Sequence, residues 1–212
     1  MYTQQVQTRF PSCRFPNLPF LLLFFFSLLT LLSVSTRIPG AAAGAPSPPP
    51  TAEERIDNYR RRVGRAFMQE QSRKANTITL PSGLVVERLT VGTGTRAPAI
   101  NDNCEVHYTG TLRDGSVFDS SRDRGTPSNF RPSDVIKGWT EALMLMREGD
   151  RWRIYVPHEL GYGARGAGRK IPPYTPLVFD MELLKIEGGG TGRTVAEIDA
   201  VLQAATEDKG DM

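Results

Sequence analysis

VHYTGTLRDGSVFDSS, residues Val106 to Ser121, decides the fold. Val106 and Tyr108 fall on one side of an extended chain and Glu105 and His107 on the other, the period-two pattern of a half-buried strand. Asp114-Gly115 supplies the tight turn of a hairpin, and the chain returns through Val117–Ser120. Working outward, residues 84–89 read as a strand and 91–99 as a Gly/Pro-bearing loop, which leads into a strand over Cys104–Leu112. Downstream, 122–127 form a charged loop and a short extended piece surrounds Phe130. Residues 138–146 hold the only helical period of the central region, through Trp139, Ala142, Leu143 and Met146. Arg151–Val156 alternates, with Trp152, Ile154 and Val156 inward. Residues 158–174 make a long loop, and Leu177–Ile186 is a last strand with Leu177, Phe179, Met181 and Leu183 on one face. Hairpin-linked strands with one short helix predict an α+β domain, an antiparallel sheet curled over that helix. A loop as long as 158–174 in a compact domain is usually functional.

The ends of the chain have other characters. Residues 1–17 carry Arg9 and Arg14 and no acid, 18–34 are almost wholly apolar, and small residues gather at Ala41-Ala42-Ala43. A basic start, an apolar centre and a small-residue site describe a secretory signal peptide cut near Ala43 or Ala45. The alternative is an uncleaved signal anchor, since the apolar run approaches the length that spans a bilayer. The expected location is therefore the secretory pathway, with release as the first reading and membrane retention as the second. Pro-rich residues 46–50 are a spacer. A helical arm over 51–75 then opens on a capping box, Thr51 to Glu54. Its apolar stripe, Ile56, Tyr59, Val63 and Phe67, is as narrow as a coiled-coil seam. Two expectations follow: the helix pairs with a second copy, or it projects as a solvated arm. After the domain at 80–187, glycines in 188–193 make a linker and 194–206 a short amphipathic helix, again opened by a capping box at Thr194.

Charge and chemistry exclude several function classes. Three of the 26 basic residues lie before Pro46 with no acid among them, so the rest of the chain is balanced against its 23 acidic residues. A neutral domain with no basic tract lacks the electrostatic footprint of a nucleic-acid binder. The two cysteines, Cys13 and Cys104, fall one in the leader and one in a strand, where Cys104 reads as a small buried apolar residue. The two histidines, His107 and His158, form no metal-ligand cluster, and His107 reads as a surface side chain. Gly161 to Gly166 matches G-x-G-x-x-G, but Gly168 and Pro172-Pro173 forbid the helix that dinucleotide binding needs. No metal or cofactor is expected. What remains is a set of aromatics between Tyr108 and Phe179 with almost no nucleophile among them: an apolar concavity with a few polar handles. Such a concavity suits rotation about an Xaa-Pro amide, which breaks no covalent bond and is held back by roughly 20 kcal/mol of lost resonance.

These residues resemble the FKBP-type peptidyl-prolyl cis-trans isomerases. The resemblance runs over residues 84–187, about half the chain, in VHYTGTLRDGSVFDSSRD, VIKGWTEALMLM, GYGARG and IPPYTPLVFDMELLKI. LPSGL and RIYVPHELGYG resemble, within that family, the macrophage infectivity potentiator subgroup. The resemblance implies that Trp139 is the floor under the proline ring and that Tyr108, Phe130, Val135, Ile136 and Phe179 are its walls. Asp119 is implied to lie beside the twisting amide, with the Tyr162 hydroxyl and the Ile136 N–H holding client carbonyls. Phe118 and Ile171 complete the rim. The implied partners are Pro-containing polypeptides and macrolides such as tacrolimus and rapamycin; a homodimer through the N-terminal helix is the further expectation. The competing function is a non-catalytic chaperone or adaptor that binds proline segments in the same hollow. Ser128, where many members of the family have an aromatic, Asp134, where glutamate is common, and Ala167, often a histidine, depart from the family pattern.

Overall fold

A computed structural model describes residues 49–207. The expected leader of 1–45, most of the spacer and the tail beyond 207 lie outside the described residues. Seven strands form one antiparallel sheet: β1 (Thr77–Thr79), β2 (Val85–Thr90), β3 (Cys104–Leu112), β4 (Val117–Ser120), β5 (Ser128–Phe130), β6 (Arg151–Val156) and β7 (Leu177–Ile186). Their order is β1-β2-β6-β7-β3-β4, with β5 also paired to β3. The expected hairpin joins β3 to β4, with a register shift between Gly110 and Thr111. Two features go beyond the sequence reading. Thr77–Thr79, which the residue pattern left unassigned, pairs with β2 and begins the sheet. The loop after β6 opens with a 3-10 turn, His158–Leu160, and closes on itself through an Ala167–Ile171 bridge; no helix follows its glycines before β7.

The core lies between the sheet and α2 (Lys137–Leu143). Alternate residues of each strand supply it: Val106 and Tyr108, Trp152, Ile154 and Val156, and Leu177, Phe179, Met181 and Leu183. From α2 come Trp139, Ala142 and Leu143, all buried. The helix lies close to β6 because Gly138 has no side chain; a Cβ there would sit 2.6 Å from Val156 Cγ1. Cys104 is fully buried, and burial, then the charge of Asp102, pushes its thiol up to about 12, so it is a packing residue. His107 departs from its expected surface role: it is half-buried, with Nδ1 3.0 Å from Ser121 Oγ.

Both terminal helices rest on this unit. α1 (Ala52–Ser72) has the expected capping box, with Thr51 Oγ1 accepting from Glu54 N–H and Glu54 Oε2 from Thr51 N–H. Its stripe does not behave as one seam. Ile56 and Tyr59 are 49% and 54% exposed, whereas Phe67 lies edge-on to Tyr155 of β6, ring centroids 6.1 Å apart. The solvated-arm expectation thus describes the first turns only; the later turns lie on the sheet face opposite α2. α3 (Val195–Glu207) keeps its Thr194–Glu197 box and buries Ile198, Leu202 and Ala205. Among the described residues, no helix is long and apolar enough to cross a membrane.

Candidate active site

One end of α2, the strand β7 and the β3–β4 hairpin enclose a cavity of about 540 Å3. Tyr108, Phe118, Asp119, Phe130, Asp134, Val135, Ile136, Trp139, Tyr162 and Phe179 line it. Of the residues the sequence put forward, all but Ile171 are there. Ile171 is as buried as Tyr108, and its backbone is bridged to that of Ala167 at the base of the loop. Asp134 joins the lining, although the sequence reading noted it only as a departure.

The floor is a set of perpendicular rings. Trp139 meets Tyr108 at 5.0 Å and 87°, Phe179 at 5.1 Å and 83°, and Phe130 at 5.6 Å and 88°. Edge-to-face pairs bring the positive ring edge against the negative face, which favours this geometry over flat stacking. Phe118 stands edge-on to Phe179 at 5.5 Å and extends the wall. Gly110 makes room for both: a Cβ there would lie 2.6 Å from Phe118 Cζ and 2.9 Å from Phe179 Cε1. The Trp139 Nε1–H is buried and unpartnered, so the floor offers ring surface and no donor.

The polar side is held by β3 and β4. Ser121 Oγ accepts the Tyr108 N–H at 2.8 Å, and Ser121 N–H donates to the Tyr108 carbonyl at 3.0 Å, which fixes the end of β4 beside Tyr108. Two residues back, the Asp119 carboxylate accepts from the Tyr108 hydroxyl and from Arg124. Arg124 also donates to Tyr108 Oη at 3.1 Å and to Ser128 Oγ at 3.3 Å. Burial would raise the Asp119 carboxyl, but the hydrogen bonds from Tyr108 and Arg124 outweigh it and hold it below the usual carboxylate range. Burial, reinforced by Asp119, raises the Tyr108 phenol. Asp119 is therefore an anion at neutral pH with its acceptor sites engaged. In the sequence Arg124 is one cation of a charged loop, and its only signal there is its place five residues beyond Asp119.

Asp134 is similarly engaged, accepting from Arg131 Nε at 2.8 Å and Ser133 Oγ at 3.0 Å. By contrast, the Tyr162 hydroxyl, on a side chain 40% exposed, makes no hydrogen bond to a described residue. Nor does the Ile136 N–H, at the start of α2. Two donors are thus free at a mouth floored with rings. No cluster of His, Cys, Asp or Glu among the described residues could hold a metal.

The sequence pattern of the FKBP-type peptidyl-prolyl cis-trans isomerases matches residues 94–184. The macrophage infectivity potentiator of Trypanosoma cruzi is 55% identical over 198 residues, covering 93% of this chain and 97% of that protein. The chain belongs to the FKBP-type peptidyl-prolyl cis-trans isomerases. The likeness extends to a 22 kDa FKBP-type isomerase of Escherichia coli, 45% identical over 63% of this chain and 68% of that one. Among solved structures, FkpA from Escherichia coli superposes with a TM-score of 0.60 at 38% identity, over 63% of this isomerase and 62% of that chain. The α+β architecture and the isomerase activity are those of the family, with macrophage infectivity potentiator-like proteins among the relatives. Its clients are proline-containing polypeptides.

Proposed function

We propose that this isomerase turns Xaa-Pro amides in the cavity over Trp139, by favouring the twisted amide over the planar one. A planar amide has a larger dipole than a twisted amide, so water solvates it better. Moving the bond from water onto ring surface removes more stabilisation from the planar state than from the twisted one. In this reading Tyr108, Phe130, Val135, Ile136 and Phe179 wall the proline ring and Phe118 extends the rim. The Tyr162 hydroxyl and the Ile136 N–H donate to client carbonyls and fix the segment. Asp119 stays ionised and orients the amide through its fixed charge; it moves no proton. One observation carries the reading: among the hydroxyl and carboxylate groups lining the cavity, Tyr108, Asp119 and Asp134 are all engaged within the protein and the Tyr162 hydroxyl is not.

A protease-coupled assay on Xaa-Pro peptides tests it. Asp119→Ala and Tyr162→Phe are each expected to lower kcat/KM by about tenfold, a loss of specific interactions with the client. Tm should move by only a few degrees, about 1 kcal/mol or less. A loss of thermal stability in proportion to the loss of rate would contradict the assignment. A wild-type protein that binds these peptides without accelerating them would restore the adaptor reading.

The proposal extends to setting. The basic and apolar leader directs the protein into the secretory pathway, with cleavage near Ala43 or Ala45 leaving the Pro-rich spacer ahead of α1; N-terminal sequencing of the native protein checks this against a retained anchor. Macrolides of the tacrolimus and rapamycin type would occupy the same cavity, with Ser128 offering them a smaller wall than an aromatic. Ile56 and Tyr59, exposed on the free turns of α1, are the surface for a homodimer. Sedimentation as a monomer at high concentration would remove that reading.

A further inference from the structure

Tyr162 stands on a loop that is held from behind. The Tyr174 N–H donates to the Gly163 carbonyl at 2.9 Å, one residue beyond Tyr162, and the Gly163 N–H donates to the His158 carbonyl at 2.8 Å. Tyr174 has φ 57, a left-handed conformation that a bulky L-residue keeps only where its surroundings fix it. Those surroundings include α1. The Arg61 guanidinium lies 4.0 Å from the centre of the Tyr174 ring and also donates to its hydroxyl. The His158 ring meets the same ring edge-on at 5.3 Å. Gly64, buried on the same side of α1, completes the contact: a Cβ there would lie 3.2 Å from Pro176 Cδ and 3.3 Å from the Tyr174 carbonyl oxygen. Glycine weakens a helix interior, so its place in the middle of α1 is accounted for by this close approach.

We propose that α1 is a positioning element of the active site. Arg61 and Gly64 seat Tyr174, Tyr174 seats Gly163, and Gly163 aims the neighbouring Tyr162 at the client. The inference rests on the reading of Tyr162 as a donor to the client; its own content is that α1 fixes the loop. Neither Arg61 nor Gly64 lines the cavity. A change at either should therefore act on turnover only through the loop.

The test uses the full-length protein and two readouts, amide hydrogen exchange across residues 161–174 and kcat/KM on an Xaa-Pro peptide. Arg61→Ala is expected to speed exchange at Gly163 and Tyr174 and to lower kcat/KM by about fivefold, a misplacement effect. Arg61→Lys, which keeps a cation near the ring, should recover part of the loss. Gly64→Ala should show the same pair of effects although it favours the helix, which separates loop displacement from a weakened α1. Added to Tyr162→Phe, Arg61→Ala should cost little more, because both act at one contact. Unchanged exchange in Arg61→Ala would overturn the proposal. So would faster exchange with unaltered turnover, or losses that add in full to those of Tyr162→Phe. Tyr162→Phe alone with wild-type turnover would remove the client-donor reading, while the exchange rates still report whether α1 holds the loop.

Discussion

β6 and β7 carry two chemistries on their two faces. Toward α2, Trp152 stands opposite Met181 and Ile154 opposite Phe179; on the other face, Arg151 stands opposite Glu182 and Arg153 opposite Asp180. The first face packs rings into a cavity. The second carries an ion lattice: Arg151 grips Asp180 with two hydrogen bonds of 2.8 and 3.0 Å, Arg153 reaches Asp180 at 3.5 Å and Arg122 reaches Glu182 at 3.1 Å. A slip of one residue between these strands would put arginines where the rings are. The contrast teaches a division of roles: one face binds the client, and the other keeps the strands in the register that builds the binding face.

The largest effect that could break this division is expected at Phe179, which is 4% exposed and touches both Trp139 and Phe118. Phe179→Ala should cost about 3–5 kcal/mol in denaturant unfolding, the usual loss for a buried aromatic. It should also remove most activity, since floor and wall lose a shared neighbour. Folding loss with full activity in the surviving native fraction would show that the ring belongs to the core alone. On the opposite face, Asp180→Ala should cost about 1–2 kcal/mol, because charge-assisted hydrogen bonds are lost but their arginine partners are partly solvated. Turnover well below Tm should not change. A matching fall in kcat/KM would mean that Asp180 shapes the cavity itself and not the strand register alone.

A smaller effect concerns charge at the cavity. The Asp119 carboxyl is lowered by Tyr108 and Arg124 against the opposing effect of burial, so its contribution is fully present above the ordinary aspartate value and is lost as pH falls through the depressed one. The kcat/KM profile should be flat from about pH 5 to 8 and fall only below the ordinary aspartate value near 3.9. Arg124→Gln should move that acid limb upward. A limb near neutrality in the wild type would mean that a different group controls turnover.

Much of this was legible in the residues, for reasons that are local. Period-two alternation placed Tyr108, Trp152 and Phe179 inward, Asp114-Gly115 gave the hairpin, and Thr51 with Glu54 gave the start of α1. The family resemblance then gathered the aromatics into one site. The features that no local pattern shows depend on partners far away in sequence. Thr77–Thr79 is too short for a period to show, and only pairing with β2 makes it a strand. The stripe of α1 divides between solvent and sheet because Gly64 and Arg61 meet residues more than a hundred positions away, which no helical period records.

The central claim is that a ringed cavity favours the twisted amide and that no proton or electron pair is transferred to the client. The most direct test is kcat/KM for one Xaa-Pro peptide measured by exchange NMR in H2O and in D2O. Without a proton in flight the ratio should be about 1, whereas general acid–base catalysis by Asp119 or Tyr162 would raise it to about 2 or more. A ratio near unity, retained in Asp119→Ala, is the predicted result; a clear isotope effect that disappears in that variant would contradict the account.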